Sequence, residues 1–221
     1  MDWKNKLERK WSPFAIHNLM VYIVTINFSV FVIEYLNLVP SIVDYLYFVP
    51  SLFLQGQIWR IITFIFIPPN ADVVFILFVL YFYYMIGSSL ENEWGTAQFN
   101  IYYLFGMIGA IIGSFITEYP ATSIYLNLSL FLAFAQIYPE HEILLFGVLP
   151  IKVKYLAYLN WFIFAMTILF GAVPLKIFAV FSLINFFIFF YEDFFKNLKL
   201  KRQVYKNRKN FQGQIRKFKR K

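Results

Sequence analysis

Six apolar stretches, each bounded by proline, glycine or charge, constrain this chain more than any other feature. They cover residues 14–39, 72–86, 98–117, 121–137, 155–169 and 175–195. A hydrocarbon layer of ~30 Å is crossed by about 20 apolar residues in a helix, and inside lipid the backbone groups of each span must pair within that span. The repetition predicts an all-α polytopic membrane protein. Composition agrees, since 60% of the 221 residues are hydrophobic, 23% aromatic and only 14% charged, a balance foreign to water-soluble domains. The first stretch follows a charged segment and precedes no small-residue cleavage site, so it reads as a retained anchor rather than a signal peptide. The chain has no cysteine, which removes disulfide and thiolate chemistry.

Charge sets the expected orientation. Residues 1–13 carry Lys4, Lys6, Arg9 and Lys10 against Asp2 and Glu8, with Trp3 and Trp11 as interfacial anchors, and read as a short amphipathic segment lying on the membrane. Residues 196–221 form a basic tail with no acidic residue. Both ends are therefore expected in the cytoplasm, which requires an even number of spans. Three regions follow: an amphipathic segment at 1–13, a six-span membrane domain at 14–195 and the tail at 196–221.

The connections are uneven. Residues 41–70, flanked or broken by Pro40, Pro50, Pro68 and Pro69, are too interrupted to span and too apolar for an aqueous loop, so a partly embedded irregular segment is expected. The second stretch is short, which calls for extra turns toward residue 90 or local thinning. Between it and the third lies a charged hinge with Gly87, Glu91 and Gly95. There the glycines permit unusual backbone angles, and Glu91 is placed to accept backbone donors. In the third stretch Gly106, Gly109 and Gly113 allow another helix to approach closely. The fourth holds Thr122, Ser123, Asn127 and Ser129. Asn27, Asn127, Asn160 and Asn185 all fall in expected spans, where an amide needs a partner, and pairing of Asn185 with one of the other three is expected. Residues 143–154, ending in Lys152 and Lys154, read as a cytoplasmic loop.

Several of these residues resemble the rhomboid-fold superfamily, which includes intramembrane serine proteases and proteolytically silent relatives such as the derlins. Gly87, Leu90-Glu91 and Gly95 are similar to the pattern these proteins carry between their second and third helices. Trp59-Arg60, preceded by Gly56-Gln57, is similar to the middle of their embedded loop. Phe146-Gly147 and Pro150-Ile151-Lys152-Val153-Lys154 resemble the segment after span four in bacterial rhomboid-like proteins. The resemblance covers about residues 13–195. It implies a rhomboid-like six-helix bundle with cytoplasmic ends, and the lack of long soluble domains suggests a bacterial plasma membrane.

The resemblance also says what proteolysis needs: a serine in a Gly-x-Ser-Gly setting at the start of span four and a histidine base on span six. An unassisted hydroxyl is a poor nucleophile, and the base must reach it at about 3 Å. Here the first region reads Pro120-Ala121-Thr122-Ser123-Ile124-Tyr125, with neither glycine, and Asn185 stands where the histidine is expected. An amide cannot accept and return a proton as imidazole does. His17 and His141 fall outside span six. No conventional catalytic residue is assigned, and Ser123 and Asn185 are the nearest candidates. Neither a metal nor another cofactor is expected, because His141 beside Glu140 and Glu142 is too small a ligand set and no His-Glu-x-x-His pattern occurs.

The favoured function is that of an inactive, distantly derlin-like membrane protein that binds or scaffolds other membrane proteins or transmembrane segments. One alternative is a serine protease of unusual form using Ser123 or Ser129. Another is a small transporter, against which the scarcity of Asp and Glu in the apolar cores weighs. The basic tail suits anionic lipids, at about 1 kcal/mol per residue near the surface. Nucleic acid is the weaker reading, since no aromatic ladder or recognisable nucleic-acid-binding fold accompanies the charge.

Overall fold

The computed structural model describes residues 11–145 and 149–191. Most of the expected amphipathic segment, all of the basic tail, and the Phe146-Gly147 pair lie outside the described residues. The chain divides into two compact units, Met1–Phe186 and Phe187–Lys221, and the first is the subject below.

Helix α1 (Leu19–Tyr35) is followed by three short helices, α2 (Ile42–Leu46), α3 (Pro50–Leu54) and α4 (Arg60–Thr63). Then come α5 (Val73–Trp94), α6 (Thr96–Thr117), α7 (Ile124–Ile137), strands β1 (Glu142–Leu145) and β2 (Leu149–Lys152), and α8 (Val153–Phe170). Helix α9 (Val173–Tyr191) is the last among the described residues, and its final turn belongs to the second unit. Among the described residues, five helical stretches are long and apolar enough to cross a membrane: Ser12–Tyr35, α5, α6, α8 and α9. The sixth apolar helix, α7, has 14 residues. Helix α5 packs on α1, α6 and α7, and α7 packs also on α6 and α8.

The first span departs from expectation. A 3-10 turn at Ser12–Phe14 contains Pro13, Ala15 is extended, and Asn18 adopts φ 54° before α1 begins at Leu19. Asparagine tolerates this left-handed conformation because its side chain is short and polar. The helix also stops at Tyr35, ahead of the expected Val39. The break matters, because it frees the backbone of Ile16 and Asn18 to bond elsewhere.

The hinge is also shorter than expected. Helix α5 runs through Gly87 and Glu91 to Trp94, and the whole reversal falls on Gly95, at φ 82° and ψ 157°. Gly87 is thus a helical residue. A Cβ at this position would overlap the Met20 side chain, so α1 comes close enough to α5 to exclude even a methyl group.

Residues 41–70 fold onto the bundle through the fully buried Phe48. Its ring lies 5.6 Å from those of Phe53 and Phe115 and 6.4 Å from that of Phe64. Asn27 of α1 donates to the carbonyl of Ile65 (3.2 Å), and Ala121 N–H donates to the carbonyl of Phe48 (2.9 Å). That last bond, within an isolated β-bridge, holds residue 121 extended and delays α7 to Ile124.

The expected loop at 143–154 is an antiparallel hairpin. Glu142 pairs with Lys152, Ile143 with Ile151 and Leu144 with Pro150. Val153 N–H continues the ladder to the carbonyl of His141 (2.9 Å), so α8 starts directly from the strand.

Candidate functional site

Two polar clusters, together with a buried arginine in the embedded segment, interrupt the apolar body of the described residues. The first surrounds the hinge. Glu91 is 6% exposed, and its Oε1 accepts the backbone N–H of Asn18 (2.9 Å) and the hydroxyl of Thr96 (3.0 Å). His17 Nδ1 lies 3.0 Å from that hydroxyl and 3.3 Å from Oε1. One turn along α6, Asn100 holds Ile16 at both ends, accepting its N–H (2.9 Å) and donating to its carbonyl (3.0 Å). The left-handed turn at Asn18 makes these contacts reachable. Two segments distant in sequence, residues 16–18 and 91–100, are thereby tied at one point. The end of α7 joins the same region, where Tyr138 donates to Glu93 (3.0 Å). Partial burial, then the adjacent Glu93 carboxylate, pushes the Tyr138 hydroxyl pKa up, so it remains a donor.

In the embedded segment Arg60 is 3% exposed. Its guanidinium donates to the carbonyls of Asp44 (2.8 Å) and Tyr47 (2.7 Å) and to Oε1 of Gln57 (2.6 Å). Trp59 is half exposed beside it. The planar fork of arginine suits several acceptors at once, and here it joins α4 to the end of α2.

The second cluster lies among α6, α7 and α9. A cavity of about 10 Å³ is lined by Gly106, Thr122, Tyr125, Ser129, Ser182 and Asn185, close to the room one water requires. Ser129 is fully buried, with Oγ 2.5 Å from the Tyr102 hydroxyl. Ser182 donates to the carbonyl of Tyr125. Asn185 donates to the carbonyl of Tyr102 (3.3 Å), and its Oδ1 is buried without a hydrogen-bond partner. The structure thus brings Ser129 and Asn185 to one cavity. Ser123 is buried as the residue preceding α7, makes no side-chain cap bond, and is outside that lining.

The expected pairing among asparagines is corrected. The Nδ2 donors of Asn27, Asn160 and Asn185 go to backbone carbonyls, because each amide faces a neighbouring helix or loop backbone rather than another amide. Asn127 keeps a buried Oδ1 without a partner.

Glycine sets the approach of α9. A methyl group at Gly106 would lie 3.1 Å from Leu126 and 3.2 Å from Asn185, at Gly109 3.3 Å from Phe181, and at Gly113 3.0 Å from Phe178. All three glycines therefore face the same partner helix, in antiparallel order. Sequence reasoning missed Tyr102, Thr96, Asn100 and Met20. The first three carried a usable signal, as hydrogen-bonding residues inside or bordering an apolar run.

A bundle of membrane-length apolar helices with few ionisable groups defines the class, an all-α polytopic membrane protein. The family model described as eukaryotic integral membrane protein (DUF1751) matches residues 17–212, and the chain belongs to that family. The match does not support the bacterial relationship and bacterial membrane expected above, since the family is eukaryotic by description. A search among curated proteins finds no match.

Proposed function

We propose that the protein is a rhomboid-like membrane protein without serine-protease activity, which binds or scaffolds other membrane proteins. One observation carries this reading: the buried serine cavity holds Asn185, an amide already bonded to the Tyr102 carbonyl, where a proteolytic member needs an imidazole. The chain's two histidines are elsewhere. His17 is at the hinge, and His141 stacks edge-on against Phe134 beyond the end of α7. The eukaryotic membrane family supports the class.

For a client, helices α5 and α8 both pack on α7 and both turn bulky apolar residues outward, among them Val74, Leu77 and Tyr81 on α5 and Tyr158 and Phe162 on α8. These faces suit a transmembrane segment of another protein, and the basic tail suits anionic lipid. A serine hydrolase of unusual form is the second reading, favoured by the Ser129–Tyr102 contact.

The test is fluorophosphonate labelling and model-substrate cleavage by the purified protein in lipid, with Ser129→Ala and Ser123→Ala alongside. No reaction in a folded sample is expected. Labelling lost with one serine would instead establish the hydrolase. Photocrosslinking from Tyr158 and Phe162 should capture a membrane protein in intact eukaryotic membranes, and capture of lipid alone would overturn client binding at this face.

A further inference from the structure

Where α1 ends, it and the embedded segment enclose a cavity of about 340 Å³. Helix α5 rises about 33 Å from the hinge back to Val73, the thickness of a hydrocarbon core, and the cavity wall at Pro68 and Pro69 leads straight into that first turn. The cavity therefore lies at the headgroup level of the leaflet away from the hinge.

Three aromatic rings line it, Phe31 and Tyr35 of α1 and Tyr47 of the embedded segment. Phe31 and Tyr35, one helical turn apart, are stacked with centroids separated by 5.9 Å and planes inclined by 21°. The two rings steady each other.

The charge in this lining is negative. Glu34 is its one carboxylate, and no lysine or arginine takes part. Burial, then the Asp44 and Glu34 carboxylates, push the pKa of the Tyr47 hydroxyl up, so α1 and the embedded segment both bring negative charge to that ring. Among the described residues no cation pairs with Glu34, since Arg60 gives its guanidinium to two carbonyls and Gln57 and the ion pairs fall on Glu91 and Glu140.

Rings and a single carboxylate select among cations. A primary ammonium brings three donors that need acceptors, and the described residues hold no group of three metal-ligating side chains. A quaternary ammonium has no N–H to satisfy and is attracted to aromatic faces. At headgroup level, beside an apolar embedded segment, the group of that chemistry is the choline of a phospholipid.

We infer that this cavity binds the choline headgroup of one phosphatidylcholine, with its trimethylammonium against Phe31, Tyr35 and Tyr47 and its charge balanced by Glu34. The site is separate from the Ser129 cavity and from the outward faces of α5 and α8.

The test measures binding of radiolabelled dihexanoyl-phosphatidylcholine to the full chain in maltoside micelles, with unlabelled dihexanoyl lipids and free choline as competitors. The choline lipid should compete about tenfold better than the ethanolamine lipid, and the anionic glycerol lipid should not compete. Glu34→Gln keeps the shape and removes the charge, and should weaken binding about tenfold. Tyr35→Leu should weaken it about fivefold, the contribution of one partly exposed ring. Both side chains are exposed, so these variants retain the fold. Glu118→Gln removes a carboxylate just beyond the end of α6, outside the lining, and should leave binding unchanged. Equal competition by the ethanolamine or glycerol lipid, full binding by Glu34→Gln, an equal loss with Glu118→Gln, or displacement by free choline at the concentration effective for the choline lipid would each overturn the inference.

Discussion

Glu91 and Asn18 meet across the hinge, the carboxylate of one accepting the backbone N–H of the other at 2.9 Å. The same oxygen takes the Thr96 hydroxyl, so one nearly buried charge joins the start of α1, the end of α5 and the first turn of α6. Hydrogen bonds to an ionised group contribute roughly 1.5–3 kcal/mol, and an orphaned buried donor costs more than a lost surface contact. Glu91→Ala should lower the thermal midpoint in detergent by several degrees, at about 2–4 °C per kcal/mol for a domain of this size. Glu91→Gln retains a carbonyl acceptor and should lose less.

Gly87 and Gly109 are predicted to differ in their tolerance of alanine. At Gly87 the added methyl overlaps the Met20 side chain, and overpacking of this kind costs about 1–3 kcal/mol. At Gly109 the nearest atom is 3.3 Å away, and the gain of about 1 kcal/mol in helix propensity offsets the crowding. Thermal unfolding should show Gly87→Ala destabilised and Gly109→Ala close to the parent. Met20→Ala should relieve little of the loss, because its own Cβ stays 2.6 Å from the added methyl, whereas Met20→Gly removes that atom and a double-mutant cycle with Gly87→Ala should show a favourable coupling.

Arg60 should prove irreplaceable in the embedded segment. Arg60→Met leaves the Asp44 and Tyr47 carbonyls without their donor, and Arg60→Lys offers a point charge in place of a fork. Both variants should expose residues 41–70 to limited proteolysis, Arg60→Met more than Arg60→Lys. An unchanged digestion pattern would mean that the Phe48 cluster alone fixes the segment.

The hairpin should depend on pH through Glu140. Its carboxylate bonds Lys154 (2.6 Å) and Lys152 (2.9 Å). The Lys154 contact, then the Lys152 contact, holds the Glu140 pKa below the usual carboxylate range, and Glu140 raises that of Lys154. A carboxyl with a depressed folded value stabilises fully above its ordinary value and loses that effect as pH falls through the lower one. A lysine with a raised value does the reverse at the alkaline end. Hydrogen-exchange protection in β1 and β2, taken relative to the intrinsic rate at each pH, should thus be highest from mildly acidic pH up to the lysine range and should fall on acidification. Glu140→Gln should remove the acid limb while leaving global unfolding almost unchanged, because the pair is exposed and screened.

The apolar helices were legible because lipid demands long uninterrupted runs, and the boundaries of α6 and α8 fall within a few residues of the hydropathy limits. Gly87 was misread because a glycine near charged residues looks like a turn, whereas its reason is Met20, on another helix. The hairpin was hidden for a similar cause. Its run from Ile143 to Ile151 carries no polar alternation, and strand pairing at 142–152 is visible only once the two halves lie together. Within the serine cavity, the contrast between Ser129 and Ser123 depends on where α7 begins, and that start is set by the Ala121–Phe48 bond. Backbone carbonyls as partners for Asn27, Asn160 and Asn185 were beyond any residue pattern, since they follow from helix placement.

The row of Gly106, Gly109 and Gly113 against Phe178, Phe181 and Asn185 has a consequence for biogenesis. The ribosome completes α6 well before α9, so a nascent chain passes through a stage in which the glycine row is bare and the Ser129 cavity lacks its amide. Until α9 arrives, the three glycines leave a notch along α6 that no α9 side chain fills. Arrival of the late helix then seats Phe178, Phe181 and Asn185 against that row.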